Sequence, residues 1–511
     1  VSRIASPANS EDSSAQQYLL KLLRLVARPL YSVAGMDTAN KIANNHKIQS
    51  MAEIRFGTDG WRAIIGDQFT FDNVAGVAQA YAEYLLHQQG KKVVVGYDTR
   101  FLAGRFAHRA AEVLAANGLE VYLSKSYLPT PVLSFAVRHL QADGGVMITA
   151  SHNPPEYLGF KIKGPYAGAA TPGVMAEIEQ KLGARPRSGE GNIHSFDVRK
   201  AYYDFLTAQL DMDALRAYEG VMYHDSLGGA GAGWLSGFAK HAGLRLELRE
   251  LHAVPDPMFY GVNPEPIPQN QFTVMTVLKA EEDPTFAAVN DGDADRIGAV
   301  LAGGSNFNSH QIFAVLLKHL YRKGLTGRVV KTFSTSKIID LLTHKLGLEL
   351  VVTPIGFKYI TDEMLKGDVL IGGEESGGIG VAGHIPERDG LLNTLLLLES
   401  VIKSGKSLGQ QFAEIEAEVG FKHAYDRVDL HLPSMEHIQT AMAKVQTPQT
   451  LAGLSVSGSD NLDGIKWLFG ETGWLLFRAS GTEPVLRIYC EAQDEQTVKA
   501  VLTEARKLVG G

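Results

Sequence analysis

Cysteine is all but missing from this chain: among 511 residues there is one, Cys490. No intrachain disulfide can form, and such sparse thiol usage fits a reducing compartment. Cys490 lies in LRIYCEA, an alternating stretch that reads as a strand rather than a nucleophile's setting. Long apolar runs are missing too. The nearest approach, 19-LLKLLRLVARPLYSVAG-35, is interrupted by Lys and Arg and falls short of a membrane span. Also lacking is any excess of positive charge. A formal net charge of −7 gives no electrostatic ground for a nucleic-acid partner, although local basic pockets for phosphate stay open. What is there is globular: 45% hydrophobic and 21% charged residues, over a length that suits roughly three to five domains.

The first 50 residues are poor in Asp and Glu, with Ser and Asn at the front. They read as an extension outside the fold, with an organellar transit peptide as the alternative. Without that peptide the expected location is the cytoplasm. From Met51 the character changes to strand and helix in alternation. KKVVVGYDTR is followed by the helical spacing of 103-AGRFAHRAAEVLAANG-118, then by the strands LEVYLS and 143-DGGVMITAS-151. Similar alternation runs through residues 201–305 and 306–420, which predicts α/β domains with mixed sheets and helices on their faces. Residues 421–511 differ, with short strands (GWLLFRAS, VLRIYCEA) and a closing helix at 495–509, and read as a small α+β domain. The expected division is therefore 51–200, 201–305, 306–420 and 421–511, with residues 1–50 outside it.

Five segments carry chemistry. In 149-TASHNPPEYLGFKIKG-164 a buried-type strand runs straight into Ser151, and two prolines then forbid a helix. Ser151, His152 and Lys161 together suit a phosphoryl-carrying serine with positive charge nearby. A capped Ser turn is the plainer alternative, and this motif by itself does not choose between them. In 291-DGDADR-296, Asp291, Asp293 and Asp295 are spaced by two, so an extended loop turns them to one side. Two such charges ~4 Å apart repel by ~4 kcal/mol at an effective dielectric of ~20. The trio needs a cation or must hold protons, and oxygen ligands alone suit Mg²⁺ or Mn²⁺. An EF-hand is excluded, because its Gly and Glu positions hold Arg296 and Ala302 here. A solvated acidic turn stands as the alternative.

In 478-RASGTEP-484, Arg478, Ser480, Gly481 and Thr482 combine a guanidinium fork, two hydroxyls and an approachable backbone: a phosphate cradle by composition, and equally ordinary turn chemistry. In 372-GGEESGG-378 the two carboxylates would repel a phosphate but accept hydrogen bonds from sugar hydroxyls, which assigns Glu374 and Ser376 to a sugar. In 56-FGTDGWR-62 a Gly-rich loop carries Thr58 and Arg62, a cation that can face a transferring phosphoryl group.

Taken together and in this order, TASHNP, DGDADR, GEESGG and RASGTEP resemble the α-D-phosphohexomutase superfamily, which includes phosphoglucomutase and phosphomannomutase. The resemblance runs from Met51 to the C-terminus. It implies four domains around a central cleft, three of them similar α/β units. It implies that Ser151 carries the phosphoryl group, and that one Mg²⁺ binds that phosphate with Asp291, Asp293 and Asp295. Arg62, His152, Lys161 and Arg296 would surround the reacting phosphate, with Lys161 as candidate general base. Gly356 and Lys358 in TPIGFKYI, with Thr58, Glu374 and Ser376, would contact the sugar, and the 478–482 loop would hold the phosphate that is not reacting.

The implied reaction interconverts hexose 1- and 6-phosphates, of glucose or mannose, through a hexose 1,6-bisphosphate that turns over in the site. The enzyme would be a monomer or weak dimer. Such a bisphosphate must be kept from water and from escape, so closure of the fourth domain is expected. Two departures stand out. Ala294 occupies a position where many relatives have Gly. Gly378 stands where some mannose- and glucosamine-type relatives carry His, which leans toward glucose phosphate. A bisphosphate synthase, a phosphoglucosamine mutase and a non-catalytic sugar-phosphate binder are the alternatives. A phosphatase with Asp291 as nucleophile would leave TASHNP unexplained.

Overall fold

The computed structural model describes residues 54–510 except 58, 482 and 483. The extension at 1–50 and the candidate contacts Thr58 and Thr482 lie outside the described residues. The first sheet contains β1 (Trp61–Ile64), β2 (Lys92–Tyr97), β3 (Glu120–Ser124), β4 (Gly144–Ile148), β5 (Tyr157–Lys163) and β6 (Ile193–Phe196). Its order is β1-β5-β4-β2-β3-β6, parallel from β4 to β6 and antiparallel across β4-β5-β1. The second contains β7 (Val221–Asp225), β8 (Glu247–Leu251), β9 (Ala287–Asn290), β10 (Ile297–Val300) and β11 (Asn306–Phe307), ordered β11-β10-β9-β7-β8. The third orders β12 (Arg328–Thr332), β13 (Leu350–Thr353), β14 (Val369–Gly373) and β15 (Ile379–Val381) as β13-β12-β14-β15.

One plan recurs. A buried strand with a parallel neighbour (β4, β9, β14) is followed at once by an antiparallel partner (β5, β10, β15). The turn between them carries a motif: 149–156, 291–296 and 374–378 in turn. The fourth sheet is antiparallel throughout. It contains β16 (Ala424–His431), β19 (Gly458–Asp460), β20 (Ile465–Leu468), β21 (Trp474–Ala479) and β22 (Val485–Ala492), ordered β16-β22-β21-β20-β19, while β17 (Thr450–Leu451) and β18 (Leu454–Ser455) form a separate two-stranded hairpin. Its motif again falls between two antiparallel partners, β21 and β22. We refer to the four sheets with their helices as units one to four.

Local sequence explains the helices that hold these sheets. Helix Ala103–Ala116 buries Phe106, Ala107, Ala110, Ala111 and Leu114, the i, i+3, i+4 stripe of an amphipathic helix. Helix Gly390–Ser404 is apolar on every side through LLNTLLLL and lies buried. Asp389 starts it by accepting from Leu391 N and Leu392 N, both at 3.0 Å. One core runs from Val94 and Leu133 through Tyr202 and Phe238 to Phe313, Leu342 and Leu397, so units one to three share it. The opposite face of the first sheet packs Val95, Phe106, Ile148 and Phe160. Unit four has a core of its own, around Trp467, Phe477, Ile488 and Leu502.

Two expectations need correction. The second sheet runs past residue 305, because Phe307 pairs with Ala299. Unit four has a second helix, Met435–Ala443, and an eight-residue strand, β16, that the sequence reading did not name. That helix buries only Ile438 and Ala441, and β16 (AYDRVDLH) carries three charged residues among its eight, so neither shows a strong apolar period. No described helix is long and apolar enough to cross a membrane.

Candidate active site

Ser151 leaves β4 in the left-handed region, φ 54°, and is fully buried. A non-glycine residue held there costs of order 1–3 kcal/mol and persists only when its surroundings over-determine it. They do so here. Ser151 N donates to Thr149 Oγ1 at 2.9 Å, and its Oγ donates to Asp291 Oδ2 at 2.8 Å. Beneath the loop lies Arg100, unremarked in the sequence. Its Nη2 donates to the carbonyls of Ser151 (2.7 Å) and Asn153 (2.6 Å), its Nη1 to those of Pro154 (2.7 Å) and Tyr157 (3.0 Å). Asp98 sits 3.3 Å from its Nε, and the guanidinium lies over the Phe259 ring. Arg62 donates to Asn153 Oδ1 at 2.6 Å, which ties the 56–62 loop to the serine loop.

The turn 291–296 meets this loop closely. A Cβ at Gly292 would lie 2.4 Å from Ser151 O, so the approach requires glycine. The Gly-rich turn after β7 supports it from behind: Ala230 N donates to Gly292 O at 2.9 Å, and a Cβ on Gly229 would strike Gly292. Thr130, from unit one, donates to Asp293 Oδ2 at 2.5 Å. Asp291, Asp293 and Asp295 are fully buried, each offering a carboxylate oxygen within 4.8 Å of the others. Burial and the two neighbouring aspartates push Asp291 well above the usual carboxylate range. Asp293 suffers the same burial, but Lys161 and Thr130 outweigh it and hold it below that range. The Oδ1 atoms of Asp293 and Asp295 are buried with no hydrogen-bond partner among the described residues. Orphaned carboxylate oxygens in an all-oxygen cluster fit a divalent cation. Ala294 adopts φ 56°, so the Gly-to-Ala departure places a Cβ in the left-handed region.

Lys161 is also fully buried, with Nζ 2.8 Å from Asp293 Oδ2, 3.2 Å from Asp295 Oδ2 and 2.8 Å from Asp59 Oδ2. Burial lowers its pKa, but these carboxylates raise it above the ordinary lysine value. The carboxylates around it favour its ammonium form. Arg388, also missed, reaches three units at once. Its Nη2 lies 2.7 Å from both Asp59 Oδ2 and Asp295 Oδ2, and its Nη1 lies 3.4 Å from Glu374 Oε2. Burial alone would raise the Asp59 carboxyl, but Lys161 and Arg388 hold it well below its usual range. Gly378 makes room for Arg388, since a Cβ there would lie 2.3 Å from Arg388 Cδ. The metal and sugar turns also touch directly: Ile297 N donates to Gly377 O at 3.0 Å, and a Cβ on Gly377 would meet Ile297 O at 2.4 Å.

These turns border one cleft, open to solvent and lined from all four units. Arg62, His152, Arg296, Gly356, Lys358, Glu374, Ser376 and Arg478 all line it, whereas Lys161 lies behind its wall. Arg296 Nε is 3.8 Å from Asp291 and 3.9 Å from Asp295. Burial and four arginines, 296, 62, 487 and 427, push the His152 imidazole well below its usual value, so it is neutral at physiological pH. Burial raises Glu374, with Arg388 and Arg296 opposing, and burial lowers Lys358. Ser376 Oγ is buried without a hydrogen-bond partner among the described residues, which suits contact with a sugar hydroxyl. Arg478 pairs with Asp463 at 3.2 Å, and Asp463 also accepts from Ile355 N at 2.8 Å, linking the 478–481 turn to the Gly356 segment. Ser480 N closes its hairpin on Val485 O at 2.9 Å, and nothing lies within 4 Å of where a Cβ on Gly481 would sit, so that backbone is open to a ligand. Arg487, one strand over, joins Arg478 and Arg427 in the cleft wall. Cys490 is buried in β22, where burial raises its thiol pKa.

Comparison with known proteins bears on this site. Four family models match in order: phosphoglucomutase/phosphomannomutase alpha/beta/alpha domains I (residues 53–187), II (200–304) and III (308–419), and the C-terminal domain (441–508). A phosphoglucomutase/phosphomannomutase of Thermococcus kodakarensis is 30% identical, over 89% of this chain and 98% of its own length. A phosphoglucomutase of Komagataeibacter xylinus is 28% identical, over 89% and 90%. A crystal structure from Thermus thermophilus, named "putative phosphomannomutase", superposes with a TM-score of 0.83 at 49% identity, covering 90% of this chain and 99% of that one. The chain belongs to the phosphoglucomutase/phosphomannomutase family, within the α-D-phosphohexomutase superfamily, with all four domains present. It is an intramolecular phosphotransferase, a phosphohexomutase.

Proposed function

We propose that this chain interconverts hexose 1- and 6-phosphates, glucose and mannose phosphates foremost, through phospho-Ser151 and a hexose 1,6-bisphosphate. One observation carries the reading: Ser151 Oγ lies 2.8 Å from Asp291, and the neighbouring His152 lines a cleft that Arg478 also lines, with nothing within 4 Å of where a Cβ on Gly481 would sit. In the first half-reaction the P–Oγ bond of phospho-Ser151 breaks, a bond from phosphorus to a sugar hydroxyl oxygen forms, and the hydroxyl proton passes to Oγ. After the bisphosphate turns over, the reverse step returns its other phosphoryl group to Ser151. Positioning and charge neutralisation supply most of the acceleration in such transfers.

Asp291, Asp293 and Asp295 would hold Mg²⁺, which when bound offsets the phosphate charge. A more distant superfamily structure, the N-acetylphosphoglucosamine mutase of Aspergillus fumigatus, contains GlcNAc-6P and magnesium (TM-score 0.54, 15% identity). Arg62 and Arg296 face the transferring group, and neutral His152 serves as a hydrogen-bond partner. Lys161 acts as a fixed cation behind the aspartates. Glu374 and Ser376 read sugar hydroxyls, with Gly356 and Lys358 beside them. Arg478, Ser480 and Gly481 hold the second phosphate, and Arg487 extends that cradle.

Mass spectrometry should find phosphate on Ser151 after incubation with hexose 1,6-bisphosphate, and Ser151→Ala should lose turnover by at least about 10³-fold. Full activity in Ser151→Ala would sink the reading. Glucose, mannose and glucosamine 1-phosphates, assayed side by side, rank the sugars. A phosphoglucosamine preference would match the relative from Pyrococcus abyssi named "Probable phosphoglucosamine mutase", 29% identical over 89% of this chain.

A further inference from the structure

The two glutamates of the 374–378 turn part company. Glu374 faces inward to Arg388. Glu375 faces unit four: its Oε1 accepts from Tyr425 OH at 2.7 Å and lies 3.4 Å from Arg427 Nη1. Arg427 projects from β16, and its Nη2 reaches Glu265 Oε1 of unit two at 3.4 Å while its Nε rests on Asp429 at 3.1 Å. One guanidinium thus joins units two, three and four at the cleft. The participants are incompletely sealed, with side-chain exposures of 18% for Arg427, 12% for Glu375 and 16% for Glu265.

The root of unit four is built differently. Glu491 is fully buried and accepts from His423 Nδ1 at 2.7 Å, Lys337 N at 2.7 Å and Trp474 Nε1 at 2.6 Å, and from the Ser336 hydroxyl as well. Lys466 is buried beside it, with Nζ donating to Phe333 O at 2.8 Å and lying over the Trp474 ring. Short, saturated, dry contacts make a pivot, whereas longer, water-accessible ion pairs break and reform at small cost. Resting on the mutase reading above, we infer that Arg427 and Glu375 form a clasp that keeps unit four shut over the bisphosphate, with Glu375 tying that clasp to the sugar contact of Glu374. Both are positioning residues. Release of the bisphosphate to solution requires the clasp to open, and the clasp is the element that separates a mutase from an enzyme that lets its intermediate go.

The test uses the full chain with Mg²⁺ and glucose 1-phosphate, and measures glucose 1,6-bisphosphate appearing in solution per isomerisation. Glu375→Gln and Arg427→Met should each raise that ratio about five- to tenfold, the range of a modest coupling between sites. Arg427→Lys, which keeps the charge and loses the fork, should fall between Met and wild type. A merely destabilised protein would lose total turnover with the ratio unchanged. If Glu375→Gln leaves the ratio at its wild-type value while Arg427→Met weakens sugar-phosphate binding, Arg427 is a phosphate ligand and the clasp is refuted. Phosphate on Ser151 is measured in the same samples. Its absence from wild type overturns the mutase reading, whereas its presence with unaltered ratios overturns the clasp alone.

Discussion

Arg100 offers the sharpest test of how the serine loop is held. Its guanidinium satisfies four carbonyls between Ser151 and Tyr157 and is paired with Asp98, all in a region closed to water. Arg100→Met keeps most of the stem and removes every one of these donors. Four charge-assisted bonds at about 1.5–3 kcal/mol each would sum to about 6–12 kcal/mol. That is an upper bound, because bonds from one group are not additive and the loop can relax. Breaking one partner of a buried ion pair typically costs about 3–5 kcal/mol, and this is the expected loss. A chain with several units need not unfold in one step, so the assay should be local. Hydrogen exchange of amides 149–157 should speed up roughly a hundred- to several-thousand-fold.

The same variant has a pH signature. Burial pushes Asp98 up to about 6, with Arg100 pulling the other way. Without Arg100 the carboxyl rises further. A folded-state pKa above the unfolded value means stability that is complete below the unfolded pKa and lost as pH rises through the folded one. The penalty in Arg100→Met should therefore be smaller at about pH 5.5 than at about pH 8. Adding Asp98→Asn should recover much of the stability at the higher pH, but not phosphoryl transfer, because the loop carbonyls still lack their donors. Wild-type exchange rates, or turnover within about twofold of wild type, would refute the account of Arg100 as the clamp on Ser151.

Two further outcomes follow from the aspartate cluster and the sugar turn. Because Asp291 is raised well above the carboxylate range, Mg²⁺ must displace its proton. Thermal stabilisation by Mg²⁺ should grow from about pH 6 to about pH 8, and the folded state without added metal should weaken over the same rise; a pH-independent stabilisation would count against a protonated Asp291. Gly378→Ala puts a Cβ where Arg388 Cδ lies, at 2.3 Å, and so displaces the group that joins Asp59, Asp295 and Glu374. An overpacking cost of about 1–3 kcal/mol at this position should lower kcat/KM about tenfold or more, and unaltered steady-state kinetics would show that Arg388 is not needed where it stands.

Much of the site was legible because its parts are contiguous. Ser151, the 291–295 aspartates, Glu374 with Ser376, and Arg478 with Ser480 each sit within a few residues of their functional neighbours. Each occupies a hairpin turn, where sequence neighbours stay neighbours in space. What escaped are single charges whose partners are far along the chain. Arg100 closes YDTR, and its role depends on carbonyls more than 50 residues away. Asp59 was passed over between Thr58 and Arg62, because its value comes from Lys161 and Arg388. Arg388, in IPERDG, carried a signal that could have been used: three charges directly before a helix apolar on every side must themselves enter the interior. The carboxylates around Lys161 were hidden for a related reason. Its spacing from Ser151 suggests a shared site, but β5 carries it behind the aspartates, with three carboxylates around it.

The separate core of unit four has a consequence for how the molecule comes apart. Units one to three share continuous packing from Val94 to Leu397, so none of them can lose its interior without exposing its neighbours'. Unit four closes its packing on itself, around Trp467, Phe477 and Ile488, and meets the rest through Glu491, Lys466, a small aromatic seam of Phe333, Trp474 and Tyr489, and the polar contacts of Tyr425, Arg427 and Asp463. Unit four thus keeps its own interior while the first three share theirs, and local opening can differ between them. Half of the phosphate-handling surface belongs to unit four. Loosening of unit four against the rest would open the cleft with its own core still packed.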